Sequence, residues 1–447
     1  MSHAPIIDQD ELARRRHALA EAIGDDAVAI FAPAPERRRS HDTFYPYRAS
    51  SDVLYLTGFP EPDAVVVLAP GHPDGDLHMF VRERDPLKEQ WDGRRAGAEG
   101  ARELYRADAA YTLDQLDAIL PTLIDGRKHL HYTFGQDDAF DKRVLALNSG
   151  LRHRRNLPPG APASVVDARD ALHELRLVKS EAELAVMRHA AEITSEAHAL
   201  AMRACTPGMN EYELQALVEF HFRRRGADFP AYSSIVGAGD NATILHYIEN
   251  SDAIQDGDVV LIDAGCEFGG YAADITRSFP ASGSFTPAQR DLYQAVLETQ
   301  LASISDVTVG TPFQELHSRT ERRLAEACVQ LGLLSGDLDD LVAAKAHKKY
   351  YPHGVGHWLG MDVHDVGPYY SPDGERRTLR PGMVLTIEPG LYVPASDDSA
   401  PAGLRGLGVR IEDDILVTAD GPHNLTSSCP KTVAEIEEIV GSGVPLP

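Results

Sequence analysis

Cysteine is scarce. Four residues, Cys205, Cys266, Cys328 and Cys429, stand far apart in a chain of 447, with no C-x-x-C pair among them. That scatter offers neither a disulfide framework nor a thiolate zinc site, and a reducing compartment is expected. Also absent is any run approaching the ~18 consecutive apolar residues that a membrane span needs. The opening residues, MSHAPIIDQDELARRRHALAEAI, have neither the apolar core nor the small-residue cleavage site of a secretory signal, so no export and a cytoplasmic location are expected. Positive charge is outnumbered, with 43 Lys and Arg against 68 Asp and Glu, for a formal net charge of -25. Such a chain repels phosphate backbones and acidic membrane surfaces, which argues against nucleic acid or membrane as a partner. Most of these carboxylates read as a solvated surface, and a few could be neutralised by bound cations. No low-complexity tract or sequence-level repeat is visible.

What is present is an ordinary globular composition, 43% hydrophobic and 25% charged. The length predicts two domains. Apolar runs at 27–31 and 64–68 alternate with helical stretches and turn signals, as in an α/β domain. A basic loop, Arg37-Arg38-Arg39, precedes Tyr45-Pro46-Tyr47-Arg48. Residues 156–162, NLPPGAP, read as a connection, and the boundary is placed near 175, giving domains 1–175 and 176–447. Beyond it, Ser180 with Glu183 forms a capping box, and Leu184, Met187, Ala191, Thr194 and His198 mark one face of a long helix. Asn210 with Glu213 opens a second helix, and Thr286, Pro287 and Gln289 open a third. Strands are expected at 259–263, 271–279, 384–388 and 409–417. Segment 375–420 reads as antiparallel hairpins with a turn at Pro389-Gly390, so the second half is α+β.

Each of those strands carries an acidic residue within or just after apolar neighbours: Asp263 in VVLIDAG, Asp274 in YAADITRSF, Glu388 in VLTIEPG and Glu412 in VRIEDDILV. Burying an ionised carboxylate costs several kcal/mol unless it is paired or binds a metal. One such residue alone reads as a salt bridge or a turn cap. Four together, with only Arg277 and Arg410 as obvious basic partners in the same strands, are accounted for more economically by cation coordination.

Histidines gather in HGVGHWLG, with His353 and His357 four apart and His364 following. The helical zinc motif H-E-x-x-H does not apply, because no Glu follows His353 and two glycines disfavour a helix. A glycine-rich loop can bring imidazoles to a cleft as ligand, acid, base or oxyanion stabiliser. Spacing alone leaves His353, His364 and the earlier His246 equally open to being surface or satisfied core histidines.

The ordered set Asp263, Asp274, His357, Glu388 and Glu412, in the contexts DAG-x8-D, HGxGHxLG, EPG and RIEDD, resembles the pita-bread metallopeptidases. That family includes methionine aminopeptidase, prolidase, creatinase and aminopeptidase P. Further segments, SIVGAGDNATILHY, WLGMDVHDVG, YPYRASSDVLYLTGF and QWDGRR, are similar to the aminopeptidase P branch and extend the likeness over nearly the full chain. The resemblance implies an α/β N-terminal domain that controls access and oligomerisation, and a pita-bread catalytic domain. It implies that Asp263 chelates one metal, Asp274 and Glu412 bridge two, and His357 with Glu388 holds the second. An oxygen-rich set with one imidazole suits Mn(II), with Co(II), Fe(II) or Zn(II) as alternatives. Two such cations sharing a water keep hydroxide available at neutral pH to attack a scissile carbonyl.

By the same resemblance, His246 and His364 orient substrate and stabilise the tetrahedral intermediate, His353 lines a proline pocket, and Glu388 passes a proton to the leaving nitrogen. Tyr392 is a candidate pocket wall, and Arg410 and Asp413 are candidates for holding the ligands in place. Asp42 and Trp91 match positions that reach a neighbouring subunit's cleft, which implies a homo-oligomer, a dimer or tetramer. The implied reaction is hydrolysis of an N-terminal Xaa-Pro bond in a peptide. Prolidase, which takes only dipeptides, is the alternative within the family, and the WDGRR and YPYR segments favour the aminopeptidase. A metal-free binding module and a creatinase-like amidinohydrolase are the alternatives of other classes. The complete ligand set argues against both.

Overall fold

The computed structural model describes residues 4–153, 160–371 and 373–443. Its described residues divide into a unit of Ile7–Arg176 and a unit that begins at Leu177 and also takes in residues 4–6, which the expected boundary near 175 puts with the first half. Residues 156–159 of the expected connection lie outside the described residues. Among the described residues, no helix is long and apolar enough to cross a membrane.

The first unit is built on a six-stranded mixed sheet. Its central strand, Ala27–Phe31, is buried along its whole length, which is why it reads as an unbroken apolar run and not as an alternating one. It pairs antiparallel with Val65–Leu68 and parallel with His129–Tyr132. Helices Leu116–Ile124 and Asp138–Arg152 supply Leu120, Leu123, Phe140 and Val144 to the same core. The basic segment forms a small exposed hairpin, Arg38–Ser40 against Thr43–Phe44.

The second unit sets helices against short antiparallel sheets. Ser180 caps the helix Glu181–Ala204, with Glu183 closing the box, and Leu184, Met187, Ala191, Thr194 and His198 are all buried. Glu211–Arg224 and Pro287–Ser305 begin at the boxes expected of them. The strand Val259–Asp263 lies between Ile235–Ala238 and Thr276–Pro280. Two further pairs are nested: Val384–Ile387 lies beside Asp413–Thr418, and Gly390–Val393 beside Leu407–Arg410. Pairing is antiparallel as expected, but strands 384–387 and 390–393 do not pair with each other across Pro389.

Two strands expected to be continuous are broken. Segment 271–279 is interrupted between Ala272 and Thr276, and segment 409–417 between Arg410 and Asp413. The breaks hold Asp274 and Glu412. At each the backbone changes partner: Asp274 N donates to Asp414 Oδ2 at 3.2 Å, and Glu412 N to the Thr276 carbonyl at 3.1 Å. Leaving one ladder for another frees each carboxylate from an apolar sheet face, where it would be stranded without solvation.

Candidate active site: a carboxylate and histidine cleft

The loop 353–360 lies along strand Val384–Ile387. Leu359 N donates to Val384 O, Thr386 N to His357 O, and Glu388 N to Val355 O, at 2.8 to 3.1 Å. Gly356 permits this approach, since a Cβ there would lie 1.9 Å from the Thr386 carbonyl oxygen. The loop is thus an extended edge and not a helix, which carries His353 and His357 to one cleft and places Glu388 beside them.

That cleft has a volume of about 330 Å³ and is lined by Asp263, Asp274, His353, His357, His364, Glu388, Arg410, Glu412 and His246, with Ile235, Leu245, Ile248 and Val363 as an apolar wall. Asp274, His357 and Glu412 each offer a ligand atom within 4.8 Å of the others. His357 Nε2 is 3.5 Å from Asp274 Oδ2 and 3.5 Å from Glu388 Oε1. Its Nδ1 lies 3.0 Å from the Trp358 carbonyl, an acceptor only, so Nδ1 donates and Nε2 faces the carboxylates. The His364 ring meets the His357 ring edge to face at 4.3 Å.

Partners sort these carboxylates. Asp263 accepts from Arg410 Nη2 at 2.6 Å and from Tyr232 OH at 2.6 Å. The same Tyr232 hydroxyl lies within hydrogen-bond reach of Asp274 Oδ1 as well, so its single proton is shared between the two carboxylates. Thr276 Oγ1 donates to Glu412 Oε2 at 2.7 Å. Among the described residues, no lysine or arginine forms an ion pair with Asp274, Glu388 or Glu412. Their protonation reflects that. Burial, reinforced by the neighbouring carboxylates, raises Asp274 and Glu412 and pushes Glu388 up to about 7. Burial opposes charge on His357, yet Asp274 and Glu388 outweigh it and lift the imidazole to about 9. An anionic cluster this short of cations is chemically suited to divalent metal: four carboxylates and one imidazole, oxygen-rich and without thiolate.

His353 differs. Burial and the nearby Arg410 hold it neutral, down to about 3. Its Nδ1 bonds the Gly354 carbonyl at 2.8 Å, so its Nε2 accepts from the Tyr392 hydroxyl at 2.7 Å, which itself accepts from Arg410 Nη1 at 3.0 Å. Tyr392 is buried behind His353 and is not among the side chains lining the cleft. Asp413 faces away from the cleft, bonded to Arg277, Lys431, Gln300 and Thr426. Arg277 Nη1 in turn donates to the Glu412 carbonyl at 2.6 Å. Asp42 and Trp91 belong to the first unit and are exposed, Trp91 by 88%. Sequence reasoning missed Tyr232, whose FPAYSS context carries no signal of buried acid neighbours. It paired neither arginine with its acid, because Arg410 and Asp263 are far apart along the chain.

Residues 185–419 match the description of metallopeptidase family M24, and residues 12–132 that of the aminopeptidase P N-terminal domain. The chain is 45% identical to the Xaa-Pro aminopeptidase of Escherichia coli K12 over 97% of its own length and 98% of the relative's. It is 38% identical to human Xaa-Pro aminopeptidase 3, over 97% of this chain and 86% of that one. Among solved structures it is similar to aminopeptidase PepP of Pseudomonas aeruginosa, with a TM-score of 0.95, 48% identity and coverage of 98% and 99%. It is also similar to Zn-substituted E. coli aminopeptidase P in complex with product, at 0.93 and 44%, covering 97% and 98%. With the catalytic unit matched by one description, much of the N-terminal unit by the other, and nearly its whole length shared with these proteins, the chain belongs to metallopeptidase family M24, in its aminopeptidase P branch.

Proposed function

We propose that this enzyme hydrolyses the N-terminal Xaa-Pro bond of peptides at a dinuclear metal site. The observation that carries the reading is the gathering of Asp274, His357 and Glu412 within reach of one ion, with Asp263 and Glu388 beside them and, among the described residues, no lysine or arginine paired with three of the four carboxylates. Asp263 would hold one cation, Asp274 and Glu412 would bridge, and His357 with Glu388 would hold the second. Mn(II) is the proposed metal, for its preference for oxygen donors, with Co(II), Fe(II) and Zn(II) as competitors decided by supply. When bound, such a pair of cations acidifies water and polarises a carbonyl.

The chain's own groups do the rest. His246 and His364 orient the scissile carbonyl and donate to the oxygen on which charge develops. Glu388 carries a proton to the leaving nitrogen. An Xaa-Pro bond has no N–H at that nitrogen, so the leaving group needs a shaped pocket in place of a backbone hydrogen bond. The neutral His353 ring, fixed by Tyr392, supplies one wall of it. Asp413 and Arg410 hold the ligand-bearing strands. The N-terminal unit restricts entry, and Asp42 and Trp91 contribute to a neighbour's cleft in a homo-oligomer, a dimer or tetramer, located in the cytoplasm.

Chelator-stripped protein, with Mn(II) added back, is assayed on Xaa-Pro-Xaa tripeptides and Xaa-Pro dipeptides. Metal-dependent release of the first residue from tripeptides is expected. Cleavage of dipeptides only would make the protein a prolidase, and no cleavage with any divalent metal would refute a hydrolytic role.

A further inference from the structure

Glu211 stands between Asn210 and Glu213, the two residues that form the capping box of their helix. Glu211 opens the helix Glu211–Arg224, yet its side chain is wholly buried and takes no part in the cap. Oε1 accepts from Ala238 N at 2.8 Å and from Asn241 Nδ2 at 3.1 Å. Oε2 accepts from Tyr247 OH at 2.9 Å and from Asp252 N at 2.9 Å. A carboxylate has about four lone-pair sites, and all are filled here. Every donor comes from the single segment 238–252. Charge-assisted bonds of this kind are stronger than neutral ones, and the helix N-terminus favours the negative charge further.

The same segment carries Leu245, His246 and Ile248 into the cleft. It has little regular structure to hold it: a short 3-10 turn, Gly239–Thr243, and then an irregular stretch. Tyr247, the residue bonded to Glu211, is the immediate neighbour of His246. We infer that Glu211 is a positioning residue: its carboxylate sets the place of His246 and of the apolar wall beside it, and so tunes productive binding of peptide without touching substrate or metal. This rests on the function proposed above.

Glu211→Gln keeps size and shape but replaces one acceptor oxygen with a donor, so the amides of Ala238 or Asp252 lose their partner. Hydrogen exchange of a peptide spanning 238–252 is followed by mass spectrometry in the full-length Mn(II)-loaded protein, together with KM and kcat on Ala-Pro-Ala. About tenfold faster exchange confined to this segment is expected, the loss of roughly one such bond. KM should rise about tenfold with a smaller change in kcat and unchanged metal content. Tyr247→Phe, which removes one of the four bonds, should move KM the same way by less. Unchanged exchange in Glu211→Gln, or faster exchange with wild-type KM and kcat, overturns the inference. If Glu211→Gln does not fold, Tyr247→Phe decides, and wild-type kinetics with wild-type protection in that variant reject it. Should the wild-type protein leave Ala-Pro-Ala uncut, the proposed function fails, while the exchange result still judges the anchor.

Discussion

Arg410 Nη2 lies 2.6 Å from Asp263 Oδ2, with the arginine almost wholly buried and the aspartate partly open to the cleft. The same guanidinium reaches Tyr392 OH through Nη1 and Thr276 Oγ1 through Nε. One planar group thereby links Asp263, the tyrosine that supports His353 and the threonine that holds Glu412.

That three-way reach makes lysine a poor substitute, because an ammonium on a flexible stem cannot point donors along three fixed directions. Arg410→Lys is expected to lower metal affinity or kcat/KM by about 10- to 100-fold, the usual effect of losing a group that orients ligands. Metal titration and steady-state kinetics measure it. Wild-type values would mean that a bare positive charge is all the site requires.

Tyr232→Phe removes a hydroxyl shared by Asp263 and Asp274. The fold should survive, since the ring remains and only one polar atom is lost. Metal affinity should fall by about tenfold. Isothermal titration with Mn(II) tests this, and an unchanged affinity would leave the tyrosine without a role in aligning the two carboxylates.

Asp274 stands among Asp263, Glu388 and Glu412, and among the described residues its ion-pair partner is the His357 imidazole, not an arginine or lysine. Asp274→Asn should therefore raise the melting temperature of chelator-treated protein, by relieving repulsion among like charges. It should also abolish most of the stabilisation by added metal, which for a retained site amounts to roughly 2.7 kcal/mol at a hundredfold excess over Kd. Melting curves with and without Mn(II) separate the two effects. A variant that melts lower than wild type in chelator would contradict the picture of an overcharged cluster.

Asp413 and Arg277 form an ion pair at 2.7 Å with no exposure of either side chain. Burial opposes the charge on Asp413, but Arg277 and Lys431 outweigh it and hold the carboxyl down to about 2, against 3.8 ordinarily. A depressed folded-state pKa means that the contribution is present above pH 3.8 and is lost as pH falls through about 2. Asp413→Asn should cost about 3–5 kcal/mol at neutral pH, since it leaves buried cations uncompensated. The gap from wild type should narrow below pH 3.8. Urea melts across that range measure it, and a gap independent of pH would rule out the charge as its source.

Local signals proved legible where one segment contains its own cause. The capping boxes at Ser180, Asn210 and Thr286 mark helix starts because donor and acceptor sit three residues apart. Asp263, Asp274, Glu388 and Glu412 were conspicuous because an acid inside an apolar run is costly anywhere it is buried. The breaks at 273–275 and 411–412 were not legible, since hydropathy reports that a stretch is buried but not which ladder its backbone joins. Glu211 was hidden for a related reason, as an acidic residue at a helix start looks like a surface charge.

The sequence by itself determined the element types, the candidate ligands and the family likeness, all of which depend on residue identity and short spacing. Tertiary structure alone decided which carboxylates keep a basic partner, how Tyr232 and Arg410 divide their bonds, and that the chain from 353 to 360 runs as an edge against Val384–Ile387. Those outcomes depend on distances between atoms that lie up to 147 residues apart along the chain. Such distances arise only once the helices and sheets have packed, when burial removes water and each polar group must find its partner inside the protein.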